Sequence, residues 1–307
     1  MKIFLTGASG MVGRNILEHP SARDYLFLSP SSKELDLTDR FQVRNYLTSN
    51  KPDLIIHAAA KVGGIQANIK NPVAFLDQNL EINRAVIGEA MAAGIPKLIN
   101  FGSSCMYPRN ALNPLMEESM LSGELEPTNE GYALSKIVAE RLCRYICQEH
   151  PALNYKTIVP CNLYGRFDSF DPSRSHLVPA IISKTDLAFR NGLRKIDIWG
   201  DGTARREFMY SADIADFLFY YIRNFESAPV LMNVGLGRDY AINEYYEAAA
   251  KVVGYDGEFV HDLSKPVGMK QKLVSIDKLT QFGWKPKTTL LEGLTATYRF
   301  YKESEQK

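Results

Sequence analysis

Eight residues near the amino terminus constrain this chain most. Thr6-Gly7-Ala8-Ser9-Gly10-Met11-Val12-Gly13 follows the apolar run Ile3-Phe4-Leu5 and opens a segment with helical spacing. A strand that turns sharply into a helix offers the helix's unpaired N–H groups to phosphate. Such a turn needs one glycine for the bend, one for backbone approach to a pyrophosphate and one for close helix–strand packing. An ordinary strand-to-helix corner can carry the same glycines, but the flanking strand and helix favour a dinucleotide. Gly7, Ser9, Gly10, Met11, Val12 and Gly13 are therefore read as cofactor contacts. Where an acid would bind the ribose 2′-hydroxyl of NAD, the chain reads Leu28-Ser29-Pro30-Ser31-Ser32-Lys33. Hydroxyls and an ammonium suit the 2′-phosphate of NADP instead, with Ser32 and Lys33 as its contacts. Asp36 and Leu37 follow where folds of this type receive the adenine.

The rest of the amino-terminal half repeats the strand–helix rhythm. Apolar runs at Tyr25–Leu28, Leu54–Ile56, Lys97–Phe101 and Thr157–Pro160 read as buried strands. Helices are expected over 11–19, 39–49, 72–93 and 128–150, with Thr38 and Thr128 as N-caps. Such alternation predicts an α/β fold: a Rossmann-type doubly wound parallel sheet covered by helices on both faces. Beyond residue 160 comes an aperiodic loop, Gly165 to Ser175, then a helix at 176–191, a strand at 195–198 and a strand–helix unit at 207–223. Helices near 243–253, 276–282 and 289–302 complete a smaller carboxy-terminal α/β lobe. With 307 residues, two domains are expected: 1–160 plus about 207–235 for the dinucleotide, and about 161–206 plus 236–307 for a substrate. The net charge of +1 argues against a nucleic-acid coat. No apolar run approaches a membrane span, and four cysteines without scaffold spacing fit a cytoplasmic protein. Cys143 and Cys147 share a helical face, but no further ligand cluster accompanies them, so packing is expected rather than metal binding.

Gly131-Tyr132-Ala133-Leu134-Ser135-Lys136 carries the chemistry. Tyr132 and Lys136 lie at i and i+4, one helical turn apart. A neighbouring ammonium would lower the phenol's pKa and could also hold the nicotinamide ribose. Ser103 stands just beyond the strand ending at Phe101, at the carboxyl end where ligands collect in open α/β sheets. A hydroxyl there polarises a carbonyl while Tyr132 supplies its proton and NADPH the hydride, which is the logic of a carbonyl reductase.

These residues sit in longer strings: Lys61-Val62-Gly63-Gly64-Ile65-Gln66-Ala67-Asn68, Gly102-Ser103-Ser104-Cys105-Met106-Tyr107-Pro108 and Leu125-Glu126-Pro127-Thr128-Asn129-Glu130. Further on come Asn162-Leu163-Tyr164-Gly165, Ser175-His176 before Pro179-Ala180, and Trp199-Gly200-Asp201-Gly202 before Arg206-Glu207-Phe208. Together with the glycine fingerprint they resemble the GDP-L-fucose synthase family of extended short-chain dehydrogenase/reductases, over residues 1 to about 300. The resemblance implies an enzyme that epimerises a GDP-linked 4-keto sugar at C3 and C5 and reduces C4 with NADPH. It maps reduction onto Ser103, Tyr132 and Lys136, and epimerisation onto Cys105 as base and His176 as acid. It adds Ala59, Pro160, Asn162, Leu163 and His176 to the cofactor contacts. For the substrate it implies Ser104, Asn162, Lys184, Trp199, Arg206 and Lys272, with Arg206 and Lys272 suited to a diphosphate. It also implies a homodimer built on the helix of Tyr132.

Departures from the family pattern gather in the substrate lobe: Lys184 where arginine is common, Glu258 where a base is common, and Lys265-Pro266-Val267-Gly268-Met269. They leave room for a reductase acting alone on a GDP-4-keto-heptose or another GDP-sugar. Two rivals are a sugar-nucleotide 4,6-dehydratase or 4-epimerase and a non-catalytic dinucleotide sensor. Ser104-Cys105 in place of acids speaks against the first, and the retained Tyr–Lys pair against the second.

Overall fold

A computed structural model describes residues 1–171, 175–265 and 268–305. Residues 172–174 of the expected loop, and Pro266 and Val267 of the departing string, lie outside it. The chain begins with β1 (Lys2–Thr6), α1 (Met11–Glu18), β2 (Leu26–Leu28), α2 (Arg40–Asn50) and β3 (Leu54–His57). Next come α3 (Ile65–Lys70), α4 (Pro72–Ala92), β4 (Lys97–Phe101), α5 (Glu130–Glu149) and β5 (Asn154–Pro160). The second half adds β6 (Asn162–Tyr164), α6 (Leu177–Arg190), β7 (Lys195–Trp199), β8 (Arg205–Arg206), β9 (Phe208–Tyr210) and α7 (Ser211–Arg223). It closes with β10 (Leu231–Val234), β11 (Tyr240–Ala241), α8 (Ile242–Val253), β12 (Glu258–Asp262), β13 (Gln271–Lys272), α9 (Asp277–Phe282) and α10 (Leu290–Glu305).

Six strands form one sheet in the order β10-β5-β4-β3-β1-β2, with every neighbouring pair parallel. Alternation along each strand explains the two helical layers. Ile3 and Leu5 join a core with Ile16 of α1 and Ile214 and Phe217 of α7. Phe4 points the other way, among Val43 and Leu47 of α2, Val86 and Ala90 of α4 and Cys143 of α5. Each fully buried aliphatic side chain contributes about 1.5–3 kcal/mol, so both layers are held firmly. The strand order reverses at β1, which has β2 on one side and β3 on the other. A crevice opens at the carboxyl ends of the strands at such a switch point.

Smaller sheets occupy the second half: β11-β8-β13, β12-β7 and β6-β9. A third core, centred on Tyr164, Ile181, Ile198, Tyr245 and Leu294, holds α6, α8 and α10 against them. This is the expected α/β architecture, with three local corrections. Asp39, not Thr38, caps α2, accepting from the Phe41 and Gln42 amides, because Thr38 is already bonded to Asp36. Thr128 sits inside a 3-10 turn, Pro127–Asn129, held by Glu126. The helix α3, hidden in the glycine-led string after Lys61, was not expected at all.

Candidate active site

One cavity of about 1400 Å³ runs from the glycine turn to the small sheets. Gly7 adopts φ +72°, and a Cβ there would stand 2.8 Å from the Ala59 nitrogen. Gly13 lies beneath the turn, where a Cβ would meet the Gly7 carbonyl oxygen at 2.3 Å. The turn therefore presses α1 against β1 and β3, and only hydrogen fits at either position. Gly7, Ser9, Gly10, Met11, Val12, Ser32, Asp36, Leu37 and Ala59 line this end, as do Pro160, Asn162 and Leu163. The bare backbone at the head of α1 fits the diphosphate of a dinucleotide. Gly13 is the packing glycine below. Lys33 is exposed and not brought to the cavity wall. The acid beside it, Glu34, turns back on Ser31, accepting from its amide at 2.7 Å and its hydroxyl at 2.8 Å.

Ser103, Tyr132 and Lys136 meet at the middle of the cavity. Ser103 follows β4 and starts a 3-10 turn, Ser104–Met106, its hydroxyl accepting from the Cys105 amide at 3.3 Å. Tyr132 and Lys136 project from the first turns of α5. Lys136 Nζ donates to the Phe101 carbonyl at 2.7 Å and stands 5.9 Å from the Tyr132 ring centroid. Burial holds the Lys136 ammonium down to about 8. The expectation that lysine lowers the phenol is corrected here. Burial pushes the Tyr132 phenol up, the Cys105 charge adds to this, and the Ser103 hydroxyl only partly opposes them. A phenol that keeps its proton is suited to giving it to a developing alkoxide.

Beyond them lie Cys105 and His176, on the wall of the same cavity. Asn129 Nδ2 donates to Cys105 Sγ at 3.1 Å, and Lys272 Nζ donates to it at 3.3 Å. Burial alone would raise the thiol, but Lys272, Ser103 and Asn129 outweigh it and hold the thiol below its ordinary value. His176 stands at the head of α6. The residue is exposed on the cavity wall, while surrounding protein and then the Lys272 charge hold its pKa below 6.5.

Of the expected substrate contacts, Asn162, already placed among the cofactor residues, lines the same cavity, and Lys184, Trp199, Arg206 and Lys272 line it towards the small sheets. Asn162 Nδ2 donates to the Glu207 carbonyl at 3.0 Å, which fixes its side chain. Lys184 is paired with Asp197 at 2.8 Å, and Trp199 is stacked under Lys265, whose Nζ is 5.9 Å from the ring centroid. Arg206 donates to the Arg205 carbonyl at 2.8 Å, and burial lowers its pKa. Ser104 is buried and does not reach the cavity. Glu258 lies on β12, off the wall. Among the described lining residues, Lys61, Lys136, Lys184, Arg190, Arg206 and Lys272 face the carboxylates of Asp36, Glu126 and Glu305. A chain of net charge +1 thus keeps an electropositive cleft.

Three positioning groups escaped sequence reading. Asn129 was visible only as part of a string before α5. Glu207 is buried, accepting from the Leu236, Gly237 and Val274 amides, and so ties β8 to β13. Burial raises its carboxyl to about 7 despite those amides. His57 bridges Thr6 Oγ1 at 2.9 Å and Asn83 Oδ1 at 3.0 Å, and Asn83 Nδ2 donates to the Ser135 carbonyl of α5. Nothing local marks such long-range partners. Cys143 packs in the core and Cys147 accepts from the Tyr155 amide.

A doubly wound sheet with a phosphate-binding turn and a Ser-Tyr-Lys set defines a nucleotide-dependent short-chain dehydrogenase/reductase. The model of the NAD dependent epimerase/dehydratase family matches residues 3–235, and the chain belongs to that family. It is 52% identical over 301 residues to the GDP-L-colitose synthase of Yersinia pseudotuberculosis, covering 98% of each chain. It is 45% identical over 300 residues to the GDP-L-fucose synthase of Azorhizobium caulinodans, covering 98% of this chain and 96% of that one. Among solved structures, a GDP-mannoheptose C4 reductase from Campylobacter jejuni with NADP bound superposes with a TM-score of 0.88 at 30% identity, covering 98% of both.

Proposed function

We propose that this enzyme is a GDP-4-keto-sugar epimerase-reductase that uses NADPH. The observation that carries the reading is the meeting of Ser103, Tyr132, Lys136, Cys105 and His176 on one cavity that begins at the glycine turn. The relatives' names, a GDP-L-colitose synthase and a GDP-L-fucose synthase, support the GDP-linked 4-keto substrate. Ser32 on the wall and Glu34 turned away onto Ser31 support NADP over NAD. When bound along the glycine turn and Asp36, that cofactor supplies the hydride for C4.

The chain's own residues do the rest. Ser103 and Tyr132 hold the ketone oxygen and acidify the hydrogens on the neighbouring carbons. Cys105 takes one of them as a thiolate, and the electron pair passes into the carbonyl as an enolate. His176 returns a proton to the carbon from the other side, inverting it. In the reductive step Tyr132 gives its proton to the C4 oxygen, and Lys136, held by the Phe101 carbonyl, supports the phenolate left behind. Arg206 and Lys184 face the GDP moiety across the far end. Residues 1–160 with about 207–235 form the cofactor unit and 161–206 with 236–307 the sugar unit, a division supported by the membership of β10 in the large sheet. Exposed Leu134, Val138 and Tyr145 on α5 support a homodimer across that helix.

A second reading is C4 reduction without epimerisation, on a GDP-4-keto-heptose. It is favoured by Lys184, whose charge is engaged by Asp197. Incubation with NADPH and either a GDP-4-keto-6-deoxyhexose or a GDP-4-keto-heptose separates the two. Consumption of NADPH with the hexose and inverted product stereocentres are expected. No consumption with either sugar would refute the reductase.

A further inference from the structure

Lys272 was expected on the substrate's diphosphate, yet its surroundings point inward. Its strand, β13, pairs in parallel with β8 so that Lys272 stands opposite Arg206, and its carbonyl accepts from the Glu207 amide at 3.2 Å. The backbone on either side is fixed as well: Leu273 donates to Asn113 Oδ1 and Val274 to Glu207 Oε2. The side chain is buried, and among the described residues no carboxylate lies within ion-pair distance of it. Glu207, the nearest buried acid in sequence register, is already taken by three backbone amides. The hydrogen-bond partner of the Lys272 ammonium is Cys105 Sγ.

A buried cation without an anion is costly. Among the described residues the thiol is the group placed to supply the anion, and a ligand is the other source. Cys105 has a further donor: the Asn129 amide nitrogen reaches the same sulfur, while the Ser103 hydroxyl accepts from the Cys105 backbone amide. The Tyr132 phenol of α5 lies within charge range of the sulfur and the His176 ring at the head of α6 within charge range of Lys272, and neither brings a fixed negative charge. The sulfur is thus surrounded by groups that favour a negative charge upon it.

We propose that Lys272 is the counter-ion of a Cys105 thiolate, a positioning residue for proton abstraction rather than a grip on the diphosphate. The proposal rests on the reading above only for the reaction it serves; the pairing itself needs no sugar to be present. In the abstraction step the thiolate becomes a thiol as the carbon acid becomes an enolate, and Lys272 remains an ammonium throughout. Removing its charge leaves the sulfur protonated and the base silent.

The test is the pH dependence of Cys105 alkylation by iodoacetamide, read at that residue by peptide mass, on the whole protein without ligands. For the unaltered enzyme the midpoint is expected below the ordinary thiol value of 9.0. Lys272→Met is expected to raise that midpoint by about one pH unit or more and to slow alkylation at neutral pH about tenfold. Lys272→Arg, which keeps the charge, should restore most of the rate. With a GDP-4-keto sugar, Lys272→Met should lower kcat for epimerisation and leave KM nearly unchanged. A midpoint at or above 9.0 in the unaltered enzyme overturns the proposal and requires no variant to fold. So does a Lys272→Met profile that superimposes on the unaltered one, or a raised KM with alkylation unchanged. Should no GDP-sugar be turned over, the functional reading fails while the alkylation profiles still decide the counter-ion.

Discussion

The two ends of the cavity are built on different principles. At the cofactor end, eight consecutive residues supply a bare backbone, and the contacts are made by the absence of side chains at Gly7 and Gly13. At the sugar end, β8 pairs with β13 at a sequence separation of 66, Cys105 meets Lys272 at a separation of 167, and polar and charged side chains make the contacts. The cofactor end tolerates no added atoms, whereas the sugar end tolerates no lost partners. The first is rigid by packing and the second by hydrogen bonds that a buried carboxyl accepts from three backbone amides. A site assembled from distant segments can change its ligand by exchanging one residue, and the relatives of this chain differ in the sugar they name.

The largest effect is expected where the two ends meet. Tyr132→Phe should reduce C4 reduction by about 100-fold or more, with NADPH affinity retained in a fluorescence titration. An equal loss of NADPH affinity would make Tyr132 part of the cofactor end alone. Glu207→Ala should strike the sugar end. It orphans the Leu236, Gly237 and Val274 amides, so thermal unfolding is expected to fall by several kcal/mol of stability. GDP-sugar affinity should fall with it, while NADPH binding stays close to normal.

Gly13→Ala attacks the other end. The added methyl meets the Gly7 carbonyl, so a cost of about 1–3 kcal/mol is expected, together with weaker NADPH binding and little change in Cys105 alkylation. Equal damage at both ends would show that they are not independent. The effect that vanishes at neutral pH concerns His57, which joins β3 to the helix of Tyr132. Burial and then the Lys136 charge depress it from 6.5 to about 3, so it folds neutral. Its contribution is complete above pH 6.5 and is lost as pH falls towards 3. Denaturant titrations should show on the order of 1 kcal/mol lost per pH unit in that window, and His57→Gln should flatten the slope.

The same contrast decides what the sequence could reveal. The glycine turn, Ser103 and the Tyr132–Lys136 pair are local patterns, and their elements formed as the strand–helix rhythm predicts. The cap of α2 went to Asp39 because Thr38 bonds to Asp36, and α5 starts after Asn129 without a side-chain cap because Thr128 bonds to Glu126 in a 3-10 turn. Lys33 and Ser104 carry suitable chemistry, but the first turns to solvent and the second into the core. Asn129, Glu207 and His57 act through partners far away in the chain, which no local spacing encodes. Lys272 was read as a diphosphate contact, and its sulfur partner was not legible, because sulfur and ammonium meet only after β13 pairs with β8.

The account as a whole claims that one cavity performs epimerisation and reduction, with Cys105 and His176 moving protons at carbon and Tyr132 giving its proton to the C4 oxygen. The most direct measurement is the reaction with NADPH and a GDP-4-keto-6-deoxyhexose in D₂O, comparing the unaltered enzyme with Cys105→Ser. The account predicts deuterium at the carbons beside C4 in the unaltered product, and little or none with Cys105→Ser, which still consumes NADPH. A reduced product from the unaltered enzyme without carbon-bound deuterium would contradict it.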